Sequence, residues 1–490
     1  MGNREIMEEG QKYLMNTYGR LPLALVRGQG ATVWDGDGRE YLDLVSGLAV
    51  NALGHAHPRL VQAIREQGEK MFHCSNLYWI EPQVRLARIL VENSCLDRVF
   101  FANSGAEANE GAIKLARKYA KAQLGEDKYE IITMNRSFHG RTLATLTATG
   151  QEKYQQGYSP LPAGFKYAPF NDLDALEQAL GPHTCAVMLE PIQGEGGVYP
   201  AHKDYLQGVR RICDEKGLLL IFDEVQCGMG RTGTLFAYEQ YGVEPDIMTL
   251  AKALAGGLPI GALLAKEKVA AAFQPGDHAS TFGGNPLVTA AALAVFETIF
   301  AENILAHVRE MGDYFVKGLE KLKQKYSCIK EIRGKGLMLG LELDCPAGPL
   351  VAGCREKGLL INNVGEQVLR FLPPLIITRR EIDRAMHHGL DRAPVRVYMR
   401  AQAVSVSPET GVRELQRLMT EHDIGQVPVV EDGRVIGIVT RTDLIKLWAA
   451  EGEGAAKPPR VVERLEQALP PSLWEVLRAA AGVADDMGYN

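Results

Sequence analysis

From about residue 98 to 265, short apolar runs alternate with segments whose apolar positions recur at helical spacing. The runs at 99–102, 131–134, 186–189, 218–222 and 247–250 predict strands. Runs without polar alternation predict strands covered on both faces. Segments 104–121, 204–216 and part of 141–157 predict helices. Such alternation implies parallel crossovers and a doubly wound α/β sheet. Upstream, residues 1–30 predict a helix and an extended lead-in. Thr32-Val33-Trp34 and Tyr41–Leu44 flank an Asp/Gly turn, the pattern of a β-hairpin. A smaller α+β part is expected at about 290–390, with strands near 336–343 and 359–372.

The pattern changes near Ala393. A compact α+β unit is predicted between 397 and 448: a strand at 404–406, a helix over 411–422, strands at 427–430 and 435–439 around Glu431-Asp432-Gly433, and a helix from Thr442. Glu451–Gly454 and Pro458-Pro459 predict a linker, and 461–490 one or two amphipathic helices. The expected organisation is 1–393 (a large domain at about 60–289, a small domain from the N-terminal segment plus 290–393), then 394–450, then 451–490.

At 490 residues the chain suits a large α/β unit plus an addition. A net charge of −6 gives no electrostatic case for nucleic-acid binding. No apolar stretch approaches a membrane span, and the charged N-terminal segment lacks the apolar core of a signal peptide. Eight cysteines are scattered without a C-x-x-C pair, which fits a reducing cytoplasm and neither a zinc ribbon nor a disulfide framework. Asp35-Gly36-Asp37-Gly38 invites a calcium reading, but the other ligands of a calcium loop do not follow, and a turn is expected. His55-Ala56-His57-Pro58 has no further ligand at helical spacing and reads as a loop before a helix at 59–71. No metal is expected.

Asp223 follows one buried run and Lys252 the next, 29 positions on. Both would stand at the carboxyl ends of strands, where open α/β sheets bind ligands. A lysine that forms a Schiff base and a carboxylate facing a pyridinium nitrogen are the equipment of pyridoxal-phosphate chemistry. Lys and Asp are common at strand ends, so the pair alone does not decide. Asn103-Ser104-Gly105-Ala106-Glu107 opens a helix, with Ser104 as N-cap and Glu107 completing a capping box. Its free N–H groups form an anion site, or simply a helix start. Ser137-Phe138-His139-Gly140-Arg141 holds an aromatic that can stack on a flat ring and an arginine that can grip a carboxylate; taken singly these are equally a core and a surface residue.

Together the segments N-S-G-A-E-A-N-E, S-F-H-G-R-T, E-P-I-Q-G-E-G-G, F-D-E-V-Q-C-G-M-G-R-T-G, A-K-A-L-A-G-G-L-P-I-G-A and S-T-F-G-G-N-P, in this order, resemble the class III, fold-type I pyridoxal-phosphate aminotransferases over roughly residues 8–390. The stretches 47–58, 73–78 and 361–375 resemble the acetylornithine subfamily. The resemblance implies pyridoxal 5'-phosphate as cofactor. Lys252 would be its covalent anchor and the proton shuttle, and Asp223 the partner of its ring nitrogen. Val225 and Phe138 would lie on the two faces of the ring, and Gln226 at its phenolic oxygen. Ser104, Gly105 and Ala106 would lie at the phosphate, joined by Thr281 of a second subunit. The site is thus expected to be shared in a homodimer or larger assembly. Arg141 would hold the substrate α-carboxylate with Ser280 nearby. Glu195 would pair with Arg370, masking a second carboxylate site that opens for glutamate or 2-oxoglutarate. The implied reaction moves the terminal amine of N-acetylornithine to 2-oxoglutarate, a step of arginine biosynthesis. Succinyl-diaminopimelate, ornithine and 4-aminobutyrate are alternative donors.

Residues 396–448 resemble a single CBS repeat, in which the segment of Thr440 and Asp443 would contact an adenine nucleotide. A regulatory nucleotide-sensing protein is therefore the rival reading from another class. Residues 461–490 resemble the lead-in to the head domain of CBS-containing transfer-RNA nucleotidyltransferases. No catalytic motif of that family follows, so no nucleotidyl transfer is inferred.

Overall fold

A computed structural model describes residues 1–390, 404–421, 425–432, 434–440 and 443–444. The expected linker and helical tail at 451–490 lie outside the described residues, as does most of the helix expected from Thr442. Two compact units divide between Val397 and Tyr398.

The first unit is built on a seven-stranded sheet. Its strands in chain order are β1 (Arg98–Ala102), β2 (Glu130–Met134), β3 (Phe165–Ala168), β4 (Thr184–Leu189), β5 (Leu219–Asp223), β6 (Ile247–Leu250) and β7 (Gly261–Ala265). They lie in the order β1-β7-β6-β5-β4-β2-β3. Strands β2, β4, β5, β6 and β7 are buried at every position, as unalternating apolar runs require. Five strands stand where the apolar runs predict them, and Asp223 is the last residue of its strand rather than the first of a loop.

Two strands depart from that expectation. β3 (F-K-Y-A) is an edge strand, mostly half-exposed, with too few apolar residues to stand out. β7 (G-A-L-L-A) runs antiparallel to both its neighbours. Its small and unbranched residues have low strand propensity, and wedging between β1 and β6 overrides that. Nor does a long helix join β5 to β6. The connection is a buried loop with one 3-10 turn, Ala237–Gln240.

The helix Gly105–Gln123 crosses one face of the sheet and packs Ala112, Ile113, Leu115 and Ala116 into the main core with Ile131, Met188 and Ile221. The N-terminal hairpin, Thr32–Asp35 with Glu40–Asp43, forms as expected. Its second strand pairs in parallel with Leu359–Leu360, so the N-terminal segment joins the far end of this unit. A four-stranded antiparallel sheet holds Ile329–Lys335, Met338–Leu343, Val368–Phe371 and Asn362–Val364. Asp35 accepts from the backbone N–H groups of Asp37 and Arg39, the bonding of a turn. Among the described residues, no cluster of His, Cys, Asp and Glu could hold a metal ion and no single helix is long and apolar enough to cross a membrane.

In the second unit the helix Val412–Glu421 and the antiparallel strands Gln426–Glu431 and Arg434–Thr440 enclose Val406, Leu415, Met419, Val427, Val429 and Val439. The Asp443 carboxylate accepts from the Thr440 backbone N–H and hydroxyl, at 2.8 and 2.6 Å.

Candidate active site

The carboxyl ends of β1, β2, β4, β5 and β6 surround one cavity of about 430 Å³, a size that suits a cofactor with a small substrate. Parallel strands end on one edge of the sheet, so residues far apart in the chain converge there.

Asp223 is buried at the floor. Its Oδ2 accepts from the Asn109 amide at 2.7 Å and lies 2.8 Å from His139 Nδ1. Its Oδ1 accepts from the Val225 backbone N–H at 3.0 Å. Asn109 is itself held by Thr249, whose hydroxyl donates to Oδ1 at 2.7 Å, and it also donates to the His139 carbonyl. The His139 Nε2 is buried without a hydrogen-bond partner. Asn109 and His139 stand inside motifs the sequence singles out, yet their roles are not legible there. Only folding carries Asn109, one turn into its helix, to Asp223.

Lys252 follows β6 with φ +42°, a left-handed conformation rare outside glycine. Strain of this kind persists where the surroundings over-determine it, often at functional sites. Burial holds its amine below the usual lysine range, countered by Glu195. Arg370 acts with burial, and Asp223 and Glu190 act with Glu195.

At the N-terminus of the helix Gly105–Gln123, the Ser104 hydroxyl accepts from the Glu107 backbone N–H at 3.2 Å. The expected capping box is only half made. The Glu107 carboxylate reaches past Ser104 to the Asn103 backbone N–H and side-chain amide, at 2.7 and 2.8 Å. Ser104, Gly105 and Ala106 all line the cavity. A Cβ on Gly105 would come within 2.7 Å of Val225 Cγ1, so glycine is needed for the helix start to approach Val225.

Phe138 and Arg141 line the cavity too. The Arg141 guanidinium lies 4.0 Å from the Tyr154 ring centroid and 5.6 Å from that of Phe138. A guanidinium stacked on a ring keeps its in-plane N–H groups available for hydrogen bonds. Arg370 does not itself line the cavity; it is buried and donates through Nη1 to Glu195 at 2.6 Å and to Gln226 Oε1 at 3.3 Å. Gln226 Nε2 donates to Glu195 at 3.2 Å. Burial works against the charged Glu195, but Arg370, Lys252 and these hydrogen bonds outweigh it and hold the carboxyl below its usual range. The Gln226 amide is thus engaged with this pair, with one N–H left for another acceptor.

Glu190, directly after β4, lines the cavity and was not among the expected site residues. Burial pushes its carboxyl up to about 7; His139 opposes this and Asp223 adds to it. Ser280 and Thr281 do not line the cavity of this chain. Ser280 Oγ accepts from Asn103 at 3.0 Å and from the Gly283 backbone N–H at 2.9 Å, and Thr281 is exposed beside it.

The sequence profile of the family described as aminotransferase class-III matches residues 13–391, and that of the CBS domain matches 395–450. The chain is 60% identical to the acetylornithine aminotransferase of Caldanaerobacter subterraneus subsp. tengcongensis over 377 residues, 77% of this chain and 96% of that one. It is 56% identical over 383 residues to that of Methanocaldococcus jannaschii, covering 78% and 96%. Among solved structures, the N-acetylornithine aminotransferase of Stenotrophomonas maltophilia is 42% identical with a TM-score of 0.68, covering 79% of this chain and 97% of that one. The ornithine aminotransferase of Toxoplasma gondii is 34% identical with a TM-score of 0.77, covering 80% and 94%. With the class-III match running over residues 13–391, Asp223 and Lys252 among them, the chain belongs to the class-III, pyridoxal-phosphate-dependent aminotransferases and carries a CBS domain after its catalytic part.

Proposed function

We propose that the chain transfers the terminal amine of N2-acetyl-L-ornithine to 2-oxoglutarate, giving N-acetylglutamate semialdehyde and glutamate. The observation that carries this reading is one cavity lined by Lys252, Asp223, Arg141 and Glu195, the last paired with the buried Arg370, in a chain 60% identical to a named acetylornithine aminotransferase.

The residues present fit pyridoxal phosphate. A carboxylate at the floor, a lysine amine beside it, an aromatic ring on the wall and a helix N-terminus at one end supply what its ring nitrogen, aldehyde, ring face and phosphate require. When bound, it supplies an electron-withdrawing ring conjugated to the reacting carbon. Lys252 would anchor it covalently, Asp223 would hold the proton on its ring nitrogen, and Phe138 and Val225 would flank its ring. Ser104, Gly105 and Ala106 would meet its phosphate, and the remaining Gln226 N–H its phenolic oxygen. Burial favours the neutral form of the Lys252 amine, and that amine would take the proton from the substrate carbon that bears the donor amine. Arg141 would hold the α-carboxylate of the donor. Arg370, released from Glu195, would hold the second carboxylate of 2-oxoglutarate. Glu195 neutralises Arg370 while a donor with one carboxylate is bound.

The reading includes a homodimer in which Thr281 and Ser280 reach the partner's site. It is supported by exposed large apolar side chains in that segment and in 72–79, which packs against it. Asn76 donates to the Ser280 and Gly283 carbonyls, the His73 and Phe282 rings meet tilted at 5.3 Å, and Phe72, Leu77, Tyr78, Trp79 and Phe282 are all largely exposed. It also includes a cytoplasmic location and an adenine nucleotide as the ligand of the CBS segment near Thr440 and Asp443. Comparing kcat/KM for N-acetylornithine, succinyl-diaminopimelate, ornithine and 4-aminobutyrate tests the substrate. N-acetylornithine should lead, and a preference for ornithine or 4-aminobutyrate overturns the reading.

A further inference from the structure

Glu190 is 5% exposed. An acid buried in this way is costly to keep unless its oxygens are used. Both are used, each on a different loop. Oε2 accepts from the Phe138 backbone N–H at 3.0 Å, and Oε1 from the Gly194 backbone N–H at 3.2 Å. The first loop follows β2 and carries Phe138 and Arg141. The second leads into Glu195 and its bond to Arg370. Gly194 is packed so closely that a Cβ there would lie 2.1 Å from Gln226 Oε1, so its backbone position also sets the amide that bridges Glu195 and Arg370.

We propose that Glu190 is a positioning residue that ties the Arg141 loop to the Glu195 loop, keeping the grip on the donor carboxylate in register with the closed Glu195–Arg370 pair. The inference rests on the substrate roles given above for Arg141 and Arg370. A carboxylate is required because it presents two acceptor oxygens to two N–H donors. A glutamine has one, and its NH2 would confront the other backbone N–H.

The test is Glu190→Gln in the full-length holoenzyme, read in two independent ways. Hydrogen–deuterium exchange should rise in both segments, 136–141 and 192–196, while the helix Gly105–Gln123 keeps its protection. Steady-state kinetics should split: KM for N-acetylornithine rises about tenfold, while KM for 2-oxoglutarate stays within about threefold or falls, because the loosened pair frees Arg370. Exchange rising in one segment or neither overturns the proposal, as does an equal change in the two KM values. If Glu190→Gln does not fold, Glu190→Asp, which withdraws the carboxylate by one methylene, is read against the same criteria. Should the wild-type enzyme not use N-acetylornithine, the substrate reading falls while the exchange measurement still decides the role of Glu190.

Discussion

Replacing Asp223 by asparagine separates its electrostatic from its structural work. Three donors surround the carboxylate: the Asn109 amide and His139 Nδ1 on Oδ2, and the Val225 N–H on Oδ1. An asparagine keeps the two contacts on Oδ2 if its oxygen takes that place, and its NH2 then faces the Val225 N–H. One buried hydrogen bond is lost and one donor left unsatisfied, which costs about 1–3 kcal/mol of stability. Urea unfolding should show this as a lower midpoint with an unchanged slope. The chemical effect is larger. A neutral amide cannot hold a proton on the ring nitrogen, and removing one preorganised electrostatic partner of a reaction centre costs on the order of 10²–10³-fold in rate. The assay is single-turnover absorbance, following conversion to the pyridoxamine form after mixing with excess N-acetylornithine, with cofactor content measured first. A near wild-type rate at full cofactor content would refute the reasoning.

Lys252→Ala should abolish turnover, and borohydride reduction of the wild type followed by peptide mapping should place the label on Lys252; label on another lysine would exclude it. Arg141→Lys keeps the charge but not the planar fork stacked on Tyr154, so kcat/KM for N-acetylornithine should fall about ten- to hundredfold with the cofactor spectrum unchanged, and an unaltered KM would remove Arg141 from the site. Glu224, whose oxygens accept from the Ala237 and Tyr238 N–H groups, is pushed by burial up to about 8 from its ordinary 4.5. A raised pKa in the folded state gives stability that is complete below about pH 4.5 and is lost as pH rises toward about 8. Urea midpoints should therefore fall across that window and fall less in Glu224→Gln; equal slopes would contradict this. A chain ending at Ala393 should retain kcat/KM for N-acetylornithine within about threefold, roughly 0.7 kcal/mol, and lost activity in a folded, cofactor-loaded protein would show that the CBS segment serves catalysis.

Local pattern by itself determined the parts of this protein whose physics is local. Unbroken apolar runs mark the buried strands β2, β4, β5 and β6, because a strand covered on both faces has no polar side to show. Ser104 announces a helix start because a cap bonds within its own turn. Lys252 and Asp223 were legible as site candidates because each directly follows or ends such a run. Tertiary structure decided the rest. β7 is a strand only because two neighbours supply its hydrogen bonds, against the preference of G-A-L-L-A. Glu107 looks like half of a capping box, yet its carboxylate binds Asn103 once the loop is packed. Asn109 and His139 become partners of Asp223 only when residues 114 and 84 positions apart are brought within hydrogen-bonding distance. Glu190 is the clearest case. Written after an apolar strand it could be any loop acid, and only the Phe138 N–H, brought in from 52 positions away, lets its two oxygens join that loop to its own at Gly194.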